Sequence, residues 1–296
     1  MPYIGELSSL LTACLWSGSS MIFAAAAERV GSVQMNIARL SFATVLLFAT
    51  ILIAGIGVHL STPQVSNLAV SGIVGLVFGD TFLFAAYTEI GARLAMLLMS
   101  LAPAVTAILA FIFLGEVLPF LGVLGIIVTM AGIAIVVLEN PETSTSRHKM
   151  TRKGLVYGLL AALGQAAGLL FAKKAFSIGE INGFVAAFVR IIIALSIILP
   201  AALLARRITN PVRVFLNDRK ALRLAVFASV MGSYLGITFS LIALKYTAVG
   251  VAATIQATPP IIMLPLSRIF HKEVHSWKTI TGAFIAVAGV AILFLR

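Results

Sequence analysis

Three ionisable residues stand inside stretches that otherwise carry no charge: Arg39, Asp80 and Arg190. A charged side chain at bilayer depth costs several kcal/mol on insertion scales, so such residues are the first candidates for function. Asp80 could carry a proton or contact a solute, and the two arginines are its candidate partners and further solute contacts. Counting at 1.5 Å per residue, Arg39 and Asp80 lie roughly 9–12 Å from the same membrane surface, close enough in depth to pair. Arg190 enters from the other side and reaches a similar depth, as a competing partner. A permanent Arg–Asp pair that only fixes helix packing is the competing explanation.

Around this trio lie uncharged groups that can make hydrogen bonds. Trp16, Ser17, Ser19, Gln165, Gln256 and Thr258 fall in the first, sixth and ninth apolar runs, with Tyr234 in the eighth. Each is as consistent with interhelical bonding as with a solute contact, since Ser, Thr and Gln also join helices in lipid. Pro103 and the pair Pro259 and Pro260 are helix-break candidates, expected to leave the carbonyls of Met99, Ile255 and Gln256 without their usual donors. Gly75 with Gly79, and Gly232 with Gly236, read as faces for close helix contact. Glu116 and Glu273, at run ends, read as caps or loop anchors. No nucleophile with a base and no second aspartate occurs within the runs, so an enzyme is not expected, and neither a cofactor nor a metal site is expected. His271, Glu273 and His275 could share a helical turn but fall in a loop.

The elements that must position these residues follow from composition. Of 296 residues, 60% are hydrophobic and 10% charged, more apolar than a soluble domain can bury. The net charge of +11 sits between the apolar runs and not on a basic face, which argues against nucleic acid. Gly122 to Leu138 contains no charge and does not alternate, which excludes the pattern of a β-barrel strand. Division at charges, prolines and polar clusters predicts ten transmembrane helices, approximately 5–27, 33–54, 67–88, 93–115, 118–138, 153–173, 181–204, 221–242, 249–270 and 276–295. The polar stretch 139–152 reads as a linker between five-helix repeats at 1–138 and 153–296.

Shifting the sequence on itself by 157 positions aligns 18 identical residues in 64 without a gap, Gly75/Gly232, Pro103/Pro260, Glu116/Glu273 and Gly132/Gly289 among them. That is about 28%, against roughly 10% expected from an apolar composition. An odd number of spans per repeat gives the two repeats opposite polarity, the arrangement used for alternating access around a midplane cavity.

The residues Ala243-Leu-Lys-Tyr-Thr-Ala-Val-Gly-Val-Ala-Ala, Pro259-Pro260, Glu273, Gly282 and Gly289, with Gly91, Pro103, Leu114-Gly-Glu116, Gly125 and Gly132, resemble the EamA-type members of the drug/metabolite transporter superfamily. The resemblance implies an all-α integral membrane protein, ten helices in two inverted repeats around a central cavity. It implies a carrier that exports amino acids, other metabolites or toxic compounds, often coupled to protons. In the second repeat His271-Lys-Glu273 replaces Leu114-Gly-Glu116, a departure from the pattern. The expectation is a multi-pass carrier of the cell membrane, driven by a gradient because no Walker-type phosphate loop occurs. Its partners would be a small-molecule substrate, the lipid bilayer and protons. A membrane scaffold or a lipid-handling protein is the reading left open beside it. The loops after odd-numbered spans hold 15 Lys and Arg against four opposite, which by the positive-inside rule places both termini outside. Family members are drawn with both termini in the cytoplasm.

Overall fold

The computed structural model describes residues 3–138, 151–208, 210–264 and 276–294. All regular structure among them is helical. The elements are α1 (Ile4–Val30), α2 (Ser32–Ile53), α3 (Thr62–Ser71), a π-helical segment π1 (Gly72–Gly79), α4 (Asp80–Met99), α5 (Ala102–Leu114) and α6 (Phe120–Leu138). They continue with α7 (Arg152–Ile178), α8 (Gly183–Leu204), α9 (Pro211–Asn217), α10 (Arg219–Ala228), π2 (Ser229–Gly236), α11 (Ile237–Tyr246), α12 (Val249–Gln256) and α13 (Trp277–Phe294). Six continuous helices are long and apolar enough to cross a membrane: Ile4–Val30, Ser32–Ile53, Thr62–Ala92, Arg152–Ile178, Gly183–Leu204 and Arg219–Tyr246. Four shorter apolar helices accompany them.

The helix ends follow from local chemistry. Ser61 and Gln64 form a capping box at α3, and the Asn182 side chain accepts the Phe184 N–H at the start of α8. Thr151 does the same for Gly154 at α7. Within α4 the helix is interrupted at Gly91, whose φ of 77° and ψ of 164° are open to glycine and to little else.

The direction of burial identifies the solvent. On α1 the residues turned inward include Ser8, Ser9, Thr12, Ser17, Ser19 and Ser20, while Leu7, Leu10 and Leu11 face outward. A helix in water would do the reverse. Most of the inward hydroxyls donate to carbonyls three or four residues back, as in Ser9 to Gly5 at 2.9 Å, Ser17 to Ala13 at 2.6 Å and Ser20 to Ser17 at 3.1 Å. Phe111, Phe113, Phe120, Leu204 and Phe284 are likewise exposed, an apolar exterior suited to hydrocarbon.

Glycines set the inner packing. A Cβ on Gly168 would lie 2.8 Å from the Gly75 Cα, and one on Gly164 would lie 2.7 Å from the Gly79 Cα, so α7 crosses π1 at backbone contact. On the other side α1 crosses π2, with Trp16 against Gly236 and Ser19 against Gly232. The expectation of close contact at these four glycines thus meets a direct counterpart. The π-helical stretches are separated by 157 residues at both ends, and so are two interruptions: α4 ends at Met99 and helix resumes at Ala102, while α12 ends at Gln256 and helix resumes at Pro259.

One expectation about these interruptions is corrected. The Ile255 carbonyl is not left without a donor: it accepts both the N–H and the hydroxyl of Thr258, at 3.2 and 2.7 Å. The threonine next to the proline supplies the bond that the proline removes. The long runs at 93–115 and 249–270 are each interrupted near the proline instead of forming one helix.

Candidate functional site

A cavity of about 70 Å³ lies in the middle of the bundle. Trp16, Ser19, Arg39, Asp80, Gln165 and Arg190 all line it, six candidates from α1, α2, α4, α7 and α8. Its volume is that of two or three waters at about 30 Å³ each.

Arg39 is held on all sides. Its Nε donates to Asn36 Oδ1 at 2.9 Å and its Nη1 to Ser233 Oγ at 3.1 Å, while its Nη2 forms an ion pair with Asp80. The guanidinium also stands 5.2 Å from the Phe84 ring centroid. Asn36 is itself fixed, donating to the Leu76 carbonyl at 3.2 Å and Thr81 Oγ1 at 3.0 Å. The wide turn of π1 exposes that carbonyl to a side chain on α2. Asp80 begins α4 where π1 ends, and its N–H bonds five residues back to Gly75.

Arg190 is different. It lies seven residues past the start of α8, as Arg39 lies seven past the start of α2. Its guanidinium rests against Gly75, where a Cβ would come within 2.5 Å of Nη2. It is 2% exposed, and its Nε and Nη2 have no hydrogen-bond partner. Gln165 Oε1 and Gln256 Nε2 are also buried without partners. The residue 157 positions after Asp80 is Ile237, which lines the same cavity and offers Arg190 no charge.

The remaining candidates divide. Trp16 Nε1 donates to the Gly232 carbonyl at 3.1 Å, and Ser19 Oγ donates to the Trp16 carbonyl at 3.4 Å. Gln256 accepts from Ser240 Oγ at 2.9 Å and, with Pro103, lines a second small recess of about 40 Å³ that shares Trp16 and Gln165 with the first. Tyr234 turns the other way, bonding Thr50 at 2.8 Å and packing near Phe184. Thr258 lines an outer apolar recess with Leu10 and Val287. Pro259 and Pro260 are buried, the Pro259 carbonyl accepting Ser17 Oγ at 3.5 Å. Glu116 Oε2 accepts the first N–H of α12, from Val249, at 3.0 Å. His271, Glu273 and His275 lie outside the described residues, as does most of the 139–152 stretch.

Sequence reasoning missed Asn36, Tyr87, Ser233 and Ser240. Asn36 was detectable, because it stands three residues before Arg39 on the same helical face. Ser233 was masked by its neighbour Tyr234, the more conspicuous side chain, and the π turn there shifts which residue faces inward.

The chain has counterparts among known proteins. A crystal structure of another protein superimposes at a TM-score of 0.76 with 15% identity, covering 100% of this chain and 98% of that one, a likeness of fold alone. An uncharacterized transporter of Archaeoglobus fulgidus is 25% identical over 293 residues, covering 98% of this chain and 97% of the relative. The sequence profile of the EamA-like transporter family matches twice, at residues 3–138 and 152–295. The chain therefore belongs to the EamA-like transporter family, as a multi-pass membrane transporter.

Proposed function

We propose that the protein is a gradient-driven secondary transporter of the cell membrane that exports an amino acid or another small metabolite through the cavity between Arg39, Asp80 and Arg190. Ten membrane helices form two inverted five-helix repeats, residues 1–138 and 153–296 joined by 139–152, and the solute site alternates between the two sides as the repeats rock. The observation that carries this reading is the cavity itself: it brings three charged side chains together within an apolar bundle and is walled by helices from both sides of the linker. Two further regularities support it. Both π segments and both helix interruptions recur at a spacing of 157 residues, in the register of the sequence repeat. At about 70 Å³ the cavity has room for a few waters, whose place a bound solute would take.

Asp80 is the proposed proton carrier. Its partner Arg39 keeps two other anchors, Asn36 and Ser233, when the carboxylate is neutralised, so protonation frees Asp80 without freeing Arg39. Proteoliposomes loaded with candidate metabolites test the reading by uptake under an imposed pH gradient. Flux that requires the protein and a gradient is expected, and Asp80→Asn should abolish its pH dependence. Unaltered pH dependence in that variant would remove Asp80 from the coupling step, and absence of flux for every metabolite would remove the transport route.

A further inference from the structure

We infer that the transported or bound solute is a small organic monoanion whose carboxylate docks on Arg190, an inference that rests on the proposed solute cavity and adds its substrate class. Among the described residues three charges line the cavity, two guanidinium and one carboxylate, and one guanidinium is matched by Asp80. The surplus is a single positive charge on Arg190, buried at bilayer depth with donors unused. An uncompensated buried cation is costly, and a counter-ion is the direct remedy.

The unused donors specify the counter-ion's shape. Nε–H and one Nη2–H point the same way along one edge of the guanidinium, the edge that grips both oxygens of a carboxylate. Gln165 Oε1, also unpartnered and lining the same cavity, accepts a hydroxyl or amino hydrogen from the same molecule. Gln256 Nε2 in the adjoining recess offers a further donor. A carboxylate carrying a neighbouring hydroxyl satisfies both residues and leaves the cavity neutral. Both free nitrogens of Arg190 are shut off from water in this conformation, with Nη2 against Gly75, so docking on this edge requires π1 to move away from α8.

Lactate and its neutral isostere lactamide are the probes, read by the thermal midpoint of the purified full-length protein in detergent and by counterflow in proteoliposomes. Lactate should raise the midpoint and lactamide should not. Arg190→Met should weaken lactate binding roughly thirtyfold or more, the usual effect of removing one member of a buried charge pair. The same variant should have a higher midpoint than wild type without ligand, because a stranded charge is gone, which separates it from a folding defect. Arg190→Lys should restore part of the binding, as a point charge without the paired donors. Equal responses to lactate and lactamide, or an undiminished lactate response in Arg190→Met, would overturn the inference. Stabilisation by lactate without counterflow keeps the anion site and rejects transport. Counterflow of lactamide equal to that of lactate keeps transport and rejects the anion site.

Discussion

Arg39 and Arg190 stand at the same distance from the start of their helices and border the same cavity, yet every nitrogen of the first is bonded and two nitrogens of the second are not. The difference traces to one position. Asp80 follows π1 and pairs with Arg39, whereas Ile237 follows π2 and pairs with nothing. Elements that recur at a spacing of 157 residues thus hold an asymmetric set of charges, and the asymmetry leaves Arg190 without a carboxylate of its own. A solvent-lined surface would not distinguish them, since water would complete either guanidinium; burial makes the missing carboxylate matter.

The comparison can be broken from the Arg39 side. Asp80→Ile makes the two sides alike and strands Arg39 beside Arg190, and the lost partner of a buried pair should cost about 3–5 kcal/mol of stability. Equilibrium unfolding in mixed micelles checks this, and a loss under about 1 kcal/mol would mean that water already screens the pair.

A smaller effect is expected at the paired interruptions. The break at Gly91 uses a backbone conformation nearly reserved for glycine, while Ala248, 157 residues later, makes its break in ordinary extended conformation at φ −61° and ψ 139°. Gly91→Ala should therefore destabilise by about 1–3 kcal/mol, and Ala248→Gly by less than about 1 kcal/mol. Equal losses would show that the breaks share one mechanism.

The smallest effect contrasts the buried ion pair with an exposed one. Arg29 Nε bonds Asp218 Oδ2 at 2.7 Å near the start of α10, and this bond holds the Asp218 carboxyl below its ordinary value, helped by the Ala221 N–H. A carboxyl lowered on folding stabilises above its unfolded pKa, and that contribution fades as acid protonates it. Asp218→Asn should lower the thermal midpoint slightly at neutral pH and not at all once the pH falls below the carboxylate range. A pH-independent difference would assign the effect to helix capping.

Much of this was legible in the sequence for a physical reason. Apolar runs and their charged borders report the bilayer directly, so the described helices fall along the expected runs, two of which break near their prolines, and the shared depth of Arg39, Asp80 and Arg190 followed from counting. The glycine faces were legible because backbone contact admits no other residue. What escaped was rotation. A π turn adds a residue to the turn, so the face expected from 3.6-residue spacing slips beyond Gly72 and Ser229, and Tyr234 replaced Ser233 in the reckoning. Pairing also escaped, because Arg39 and Arg190 have equal claims on Asp80 by depth and only the packing of α2 on α4 and of α8 on π1 decides between them.

The most direct test of the central claim supplies the missing carboxylate. Ile237→Asp places an acid at the position that corresponds to Asp80, where it should neutralise Arg190. Counterflow of labelled lactate through proteoliposomes is expected in wild type and should be lost in Ile237→Asp, with the thermal midpoint maintained. Undiminished lactate exchange in that variant would contradict an account in which one unpaired arginine receives the solute.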